Sequence, residues 1–167
     1  VWLSKNFFSY KYDYRTEWLQ FTQTLVEGDS NVPENITRAI ANLAKSPAGL
    51  LWSKNQNGRF DFAINWGIGD LGTDGDLSKL PDWLQHSECI IDLKEWRQSP
   101  DLYENLELPE FIMDIPRARL IIPLMLGEGL KGSLLLRESD LQPELNWEDR
   151  DLLTLASRQA ANHLAQY

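Results

Sequence analysis

Two apolar runs near the end of the chain, Arg119–Leu126 and Leu130–Arg137, are separated only by Gly127-Glu128-Gly129. A spacer this short, with glycine at both ends, permits a tight reversal, so the runs are expected to pair as an antiparallel hairpin. In the first run Leu120, Ile122, Leu124 and Leu126 fill one face, and Ile121 and Met125 lie on the other. A strand that is apolar on both faces must be covered on both. The chain therefore needs a sheet with a layer of other elements above and below it. Pro123 cannot donate to a ladder, which predicts a bulge or one-sided pairing at that point. Gly132–Leu136 repeats the apolar pattern more weakly.

The stretch Asn146–Tyr167 reads as a terminal helix. Asn146 is a candidate cap, and Glu148, Asp149 and Asp151 suit the positive end of the helix dipole. Leu153, Ala156, Ala160, Leu164 and Tyr167 form one stripe, and Leu152, Leu155 and Gln159 a second. Two stripes suit a helix that packs on its own sheet and on a partner.

Upstream, residues 2–12 are aromatic-rich and expected to be extended or irregular, with Asp13 capping a helix. Tyr14, Trp18, Phe21 and Leu25 then recur at helical spacing, and Gly28 ends the element. A second helix starts near Asn31 with Pro33 in its first turn. Its apolar face is Ile36, Ile40, Leu43 and Ala44, and Ser46-Pro47 stops it. A hairpin follows: Ala48–Lys54, a turn at Asn57-Gly58, and Arg59–Trp66. The second strand alternates, with Phe60, Phe62, Ile64 and Trp66 on one face and Arg59, Asp61 and Asn65 on the other. This predicts one buried and one wet face near a sheet edge. Residues 67–80 carry Gly67, Gly69, Gly72 and Gly75 with Asp70, Asp74 and Asp76, a mobile loop by composition. A short helix over Pro81–Gln85, a short strand over Cys89–Leu93 and one-turn helices within 94–116 complete a loop-rich middle, where binding sites are commonly carried.

A length of 167 residues suits one domain able to bury a sizeable core. The net charge of −9 argues against nucleic acid and against anionic membrane surfaces. No apolar run approaches the ~18–20 residues of a spanning helix, and the opening residues carry no signal-peptide pattern. The single cysteine, Cys89, cannot form an internal bridge, which fits a reducing compartment. Because the sequence begins at Val1 and not methionine, it is expected to be a piece of a longer protein.

Several motifs resemble those of GAF domains. They are Ile122-Pro123-Leu124, then Gly132 with Leu134 and Leu136, then the run Trp147-Glu148-Asp149-Arg150-Asp151-Leu152-Leu153-Thr154-Leu155-Ala156-Ser157-Arg158-Gln159-Ala160-Ala161. With the order of elements, the resemblance covers about residues 14–167, leaving 1–13 as a connecting segment. It implies an α+β, PAS-related fold. An antiparallel sheet of five or six strands carries the first and last helices on one face. Short helices and loops cover a pocket on the other. A narrower resemblance, carried by Phe7-Phe8-Ser9-Tyr10-Lys11-Tyr12-Asp13-Tyr14-Arg15 with Glu17-Trp18-Leu19 and Phe21, is to the segment preceding the GAF domain in PEP-CTERM-system sensor histidine kinases. It implies a cytoplasmic module between a membrane-anchored part and a kinase core, not itself inserted in the membrane.

The resemblance implies a sensory domain that receives a small molecule, forms a homodimer and relays a signal through its last helix. Trp52, Trp66, Trp83, Trp96 and Tyr103 are the pocket candidates, since aromatics line apolar ligand sites. They can equally fill a core, which would make this a purely structural dimerisation module. Trp18, Leu152, Leu155, Gln159 and His163 are the candidates for the dimer and signalling helices. His163 is followed by Leu164-Ala165-Gln166 and lacks the acidic neighbour typical of kinase phosphoacceptors, so it reads as a surface or packing residue.

Catalytic and cofactor patterns are weak. His86 and Cys89 are too few ligands for a closed zinc site, and no metal or other cofactor is expected. Ile90 stands after Cys89 where bilin-attaching GAF domains commonly have histidine. The Asn-Lys-x-Phe-Asp-Glu pattern of cyclic-nucleotide-binding GAF domains is missing. Gly67-x-Gly69-x-x-Gly72 spells a dinucleotide fingerprint, but no helix opens after it and acidic neighbours oppose a pyrophosphate. The aspartates of that loop lack the twelve-residue calcium pattern. The rival from another class is a redox enzyme using Cys89, which with one cysteine needs an intermolecular step.

Overall fold

A computed structural model describes residues 2–27, 31–70, 75–141 and 144–167, with side chains from Tyr14 onward. The chain runs α1 (Trp2–Val26), α2 (Val32–Leu43), β1 (Gly49–Lys54), β2 (Phe60–Trp66), α3 (Leu80–Ser87), β3 (Ile91–Asp92), α4 (Leu93–Gln98), a 3-10 turn (Pro100–Tyr103), α5 (Glu110–Met113), β4 (Ala118–Leu126), β5 (Gly129–Arg137) and α6 (Trp147–Gln166). The sheet is five-stranded and antiparallel in the order β2-β1-β5-β4-β3.

The closing hairpin forms as its spacing predicts. Leu126 pairs with Gly129, and Gly127 takes φ +61 at the first central residue of the turn. A primed turn matches the right-handed twist of its strands and needs that positive φ. β4 is covered on both faces. Leu120, Ile122 and Leu124 join one core cluster with Phe21, Ile36, Ile40, Leu134, Leu153, Ala156, Ala160 and Leu164. Ile121 and Met125 join the other with Leu50, Trp52, Leu84, Leu93, Ile112 and Leu135. The first cluster lies under α1, α2 and α6, and the second under α3, α4, the 3-10 turn and α5. Pro123 pairs with Ser133 on β5, while β3 reaches only Leu120 and Ile121. The proline therefore sits where β4 is paired on one side alone, so its missing N–H costs no ladder bond on the other side.

α6 opens with a full capping box. Asn146 Oδ1 accepts from the Asp149 N–H at 2.8 Å, and Asp149 Oδ2 accepts from the Asn146 N–H at 3.1 Å. Its buried stripe runs through Leu153, Ala156, Ala160 and Leu164; Tyr167, expected on that stripe, is exposed beyond the helix end. The small residues let α6 lie close on the sheet. A Cβ at Gly132 would come within 2.8 Å of the Trp52 carbonyl oxygen and 3.0 Å of Leu164 Cδ2, so the glycine there is required by close approach.

Two expectations are overturned. Residues 2–12, expected to be extended or irregular, are helical, and Asp13, expected to cap the helix, lies in its interior, well past its first turn. No proline or glycine interrupts 2–26, so the helix begun around Trp18 has no breaker upstream. Gly28, expected to end the helix, lies outside the described residues. The second correction concerns β2. Leu51 pairs with Ile64 but Trp52 pairs with Phe62, leaving Ala63 as an extra residue in a bulge. A one-residue bulge reverses the side-chain phase. Phe60 packs with Trp52 on the α3–α5 side, whereas Ile64 and Trp66 pack on the α1–α2–α6 side. The four aromatic and aliphatic residues do not share a face.

The start of the 67–80 loop is tied down. Asn65 Oδ1 accepts from the Ile68 N–H at 3.1 Å, and Asn65 Nδ2 donates to the Gly69 carbonyl at 2.7 Å. Ile68 and Leu77 are buried, so the stretch read as mobile is anchored at both described ends. Gly72 and Asp74 lie outside the described residues.

Candidate functional site

The face of the sheet under α3, α4 and α5 gathers most of the aromatic candidates. Trp52, 3% exposed, meets the Phe62 ring edge-on at 5.6 Å between centroids and the Phe111 ring at 5.9 Å. Gly75 presses against Phe111, where a Cβ would fall 2.4 Å from the ring. Trp83 on α3 meets Tyr103 at 5.9 Å. Trp96 on α4 packs in the same layer and donates its indole N–H to the Leu106 carbonyl at 2.8 Å. Trp66 is not brought to them, because the Ala63 bulge turns it to the opposite side of the sheet.

Three polar heads in this layer have no hydrogen-bond partner among the described residues: Trp52 Nε1, Trp83 Nε1 and Ser133 Oγ. Ser133 is 1% exposed and is the cross-strand partner of both Trp52 and Pro123. Unpaired buried polar atoms cost about 1–3 kcal/mol each, so each of the three would gain from a hydrogen-bonding partner.

At one end of the layer lies a buried ionic network that the sequence reading did not identify. Arg119, 7% exposed, donates through Nε to Asp92 Oδ1 at 2.8 Å and through Nη2 to Asp92 Oδ2 at 3.3 Å. Its Nη1 reaches Glu138 Oε1 at 3.3 Å. Asp92, 6% exposed, also caps α4 by accepting from the Lys94 N–H at 3.0 Å. The Tyr103 hydroxyl accepts from the Asp92 N–H at 3.1 Å and donates to Glu95 Oε1 at 2.6 Å. Arg150 on α6 closes the ring, with Nη2 at 3.4 Å from Glu95 Oε1 and 3.7 Å from Asp92 Oδ2.

Arg119 is the extra residue of a bulge in β4. Ala118 pairs with Arg137 and Leu120 with Leu136, so Arg119 has no residue opposite it. Burial opposes its charge, but the hydrogen bond and charge of Asp92 outweigh that and hold its pKa above the ordinary arginine value. The available signal was a charged residue embedded in each apolar segment: Arg119 ahead of Leu120-Ile121-Ile122, and Asp92 between Ile91 and Leu93. Charges so placed are rarely buried unless paired.

Burial, then the hydrogen bond to Glu95, pushes the Tyr103 pKa up to about 12. The folded state thus keeps this proton when the unfolded chain, at about 10, has released it. The resulting stability is complete below pH ~10 and is lost as pH rises from there toward 12. In an ultraviolet titration of phenolate absorbance, a late step near pH 12 is expected and should vanish in Tyr103→Phe. A wild-type curve complete by pH 11 would contradict the burial of this hydroxyl.

A second feature lies on the outside of α1 and α6. Tyr14, Arg15, Trp18, Trp147, Glu148, Asp151, Leu152 and Leu155 line an open groove of roughly 530 Å³. Of the helix candidates, Trp18, Leu152 and Leu155 meet there. Gln159 and His163 continue along α6 beyond the groove. Cys89 is exposed on the turn after α3, its thiol pointing to the Ser87 carbonyl at 3.2 Å. His86 is exposed at the end of α3. Among the described residues no group of three or more His, Cys, Asp or Glu is placed to hold a metal ion. No described helix is long and apolar enough to cross a membrane.

No family model matches the sequence, and no curated protein matches it. Solved structures do resemble it. The GAF domain of an Acinetobacter phosphoenolpyruvate-protein phosphotransferase superposes with a TM-score of 0.63 at 14% identity, covering 90% of this chain and 92% of that one. The GAF domain of a protein described as a sensor histidine kinase, from Pseudomonas syringae pv. tomato, gives 0.60 at 16% identity over 98% and 92%. A domain of a protein described as a two-component sensor histidine kinase, from Sinorhizobium meliloti 1021, gives 0.57 at 17% over 82% and 93%. The fold of this chain is that of GAF domains.

Proposed function

We propose that this chain is a non-catalytic sensory module of a sensor histidine kinase, and that its α3–α5 layer receives a small molecule. The observation that carries the reading is the set of three buried polar heads without partners, Trp52 Nε1, Trp83 Nε1 and Ser133 Oγ, on the face covered by short helices. Their chemistry, two N–H donors and a hydroxyl among aromatic rings, suits a largely apolar ligand carrying hydrogen-bond acceptors. The fold's likeness to domains of sensor kinases supports the setting. The resemblance of residues 7–21 to the PEP-CTERM-system kinases supports a cytoplasmic position behind a membrane-anchored part and ahead of a kinase core.

The second half of the proposal is a homodimer through the α1–α6 groove. A two-fold interface must be complementary to itself. The groove meets this condition, because its apolar floor of Trp18, Leu152 and Leu155 is rimmed by Arg15 and by the acidic Glu148 and Asp151. A second copy can set its arginine against that acidic pair and seat its own leucines on the floor. α6 would then carry a change in packing onward along its ~30 Å length.

The test is a thermal-shift screen of a metabolite library, with native mass spectrometry of gently purified protein. A binder is expected to raise Tm in the wild type and to lose at least tenfold in affinity in Trp83→Phe, which keeps the ring and removes the N–H. No bound mass and no shift across the library would sink ligand sensing. It would leave the structural dimerisation module, a reading that the contacts of Trp52 with Phe62 and Phe111 favour.

A further inference from the structure

We infer that Arg150 is the residue through which the α3–α5 layer and the first turn of α6 are coupled. The inference rests on the sensory reading above and supplies its route of regulation. Every link is a direct contact. Trp83, whose indole N–H has no partner among the described residues, packs on the Tyr103 ring at 5.9 Å. The Tyr103 hydroxyl donates to Glu95 Oε1 at 2.6 Å, and that same oxygen lies 3.4 Å from Arg150 Nη2. Arg150 also stands 3.7 Å from Asp92 Oδ2, while the Asp92 N–H returns to the Tyr103 hydroxyl at 3.1 Å.

The electrostatics make this a shared clamp. Asp92 and Glu95 occupy the cap and first turn of α4, so two carboxylates lie close together. Arg119 neutralises Asp92 from the sheet, and Arg150 is the cation that faces both acids from α6. Arg150 belongs to the first turn after the capping box, its own N–H bonded to the Asn146 carbonyl at 3.1 Å. Its backbone is therefore fixed to the start of α6 while its head is fixed to α4. A tilt of the 3-10 turn at Tyr103 changes the position of Glu95 Oε1 and so the place where the guanidinium is most stable. The first turn of α6 must follow or lose both acids. Coupling of this kind is reciprocal by thermodynamic necessity.

Hydrogen exchange of the whole chain, without any ligand, tests it. Arg150→Met, in α6, is expected to speed exchange in Leu93–Tyr103 about tenfold. Tyr103→Phe and Glu95→Gln are expected to speed exchange in residues 149–153 by a similar factor. Exchange in β1 should stay unchanged in all three, and Arg38→Ala, which removes the pairing to Glu27 away from this network, should leave both segments unchanged. Acceleration confined to each variant's own element would overturn the inference, as would equal acceleration everywhere. Because no ligand is used, a negative result here is distinct from a negative result in the binding screen.

Discussion

Arg119→Met is expected to lower unfolding stability by about 3–5 kcal/mol, the loss typical of stranding one half of a buried ion pair. Asp92 is 6% exposed, and Arg119 meets both of its oxygens. Arg150, at 3.7 Å, is too distant to replace that pairing fully. The methionine fills similar volume, so the effect reads the unpaired carboxylate more than a cavity. In a domain of this size the change corresponds to a Tm drop of about 10 °C. Adding Asp92→Asn should recover much of the loss, since an amide can stay buried without a cation and can still cap α4. Urea unfolding at neutral pH measures both variants. A loss below about 1 kcal/mol in Arg119→Met would mean that Asp92 is hydrated or neutral, and the network as described would be wrong.

The second large effect concerns assembly. Leu152→Glu with Leu155→Glu is expected to convert the proposed dimer to monomer in sedimentation velocity at micromolar concentration, a weakening of a hundredfold or more. Leu155 is 59% exposed in the single chain, so its exchange should cost the fold little. Leu152 packs partly on the core beneath α6, and a loss of about 1–2 kcal/mol is expected there. The two readouts separate interface from fold, because urea unfolding reports the second. Unchanged sedimentation of the variant, or a wild type that already runs as a monomer, removes the groove from the proposal.

Local patterns carried much of the fold. The Arg119–Arg137 ribbon was legible because two apolar runs around a glycine spacer have few other solutions. The cap of α6 was legible because Asn146 bonds to an N–H three residues on, and the start of α2 near Asn31 agrees with its side chain accepting from the Glu34 N–H. Pro123 announced one-sided pairing because its missing N–H is a local fact. What was misread in β2 was the phase. An alternating pattern assumes a regular pleat, and the single extra residue Ala63 reverses every side chain after it. That placed Trp66 among the pocket aromatics in the sequence and on the far side of the sheet in the structure.

The ionic network was hidden for a related reason. Asp92, Glu95, Arg119, Glu138 and Arg150 are scattered over more than fifty positions, and no spacing rule joins them. Arg119 sits in a bulge that no local pattern announced. The order of elements, the two-faced central strand and the start of α6 are consequences of neighbouring residues, where sterics and hydrogen bonding act over one or two turns. Which aromatic faces which layer, and which buried charges meet, depend on register between strands distant in sequence. One inserted residue changes that register without changing the composition or periodicity around it, so it was settled only when the strands were packed together.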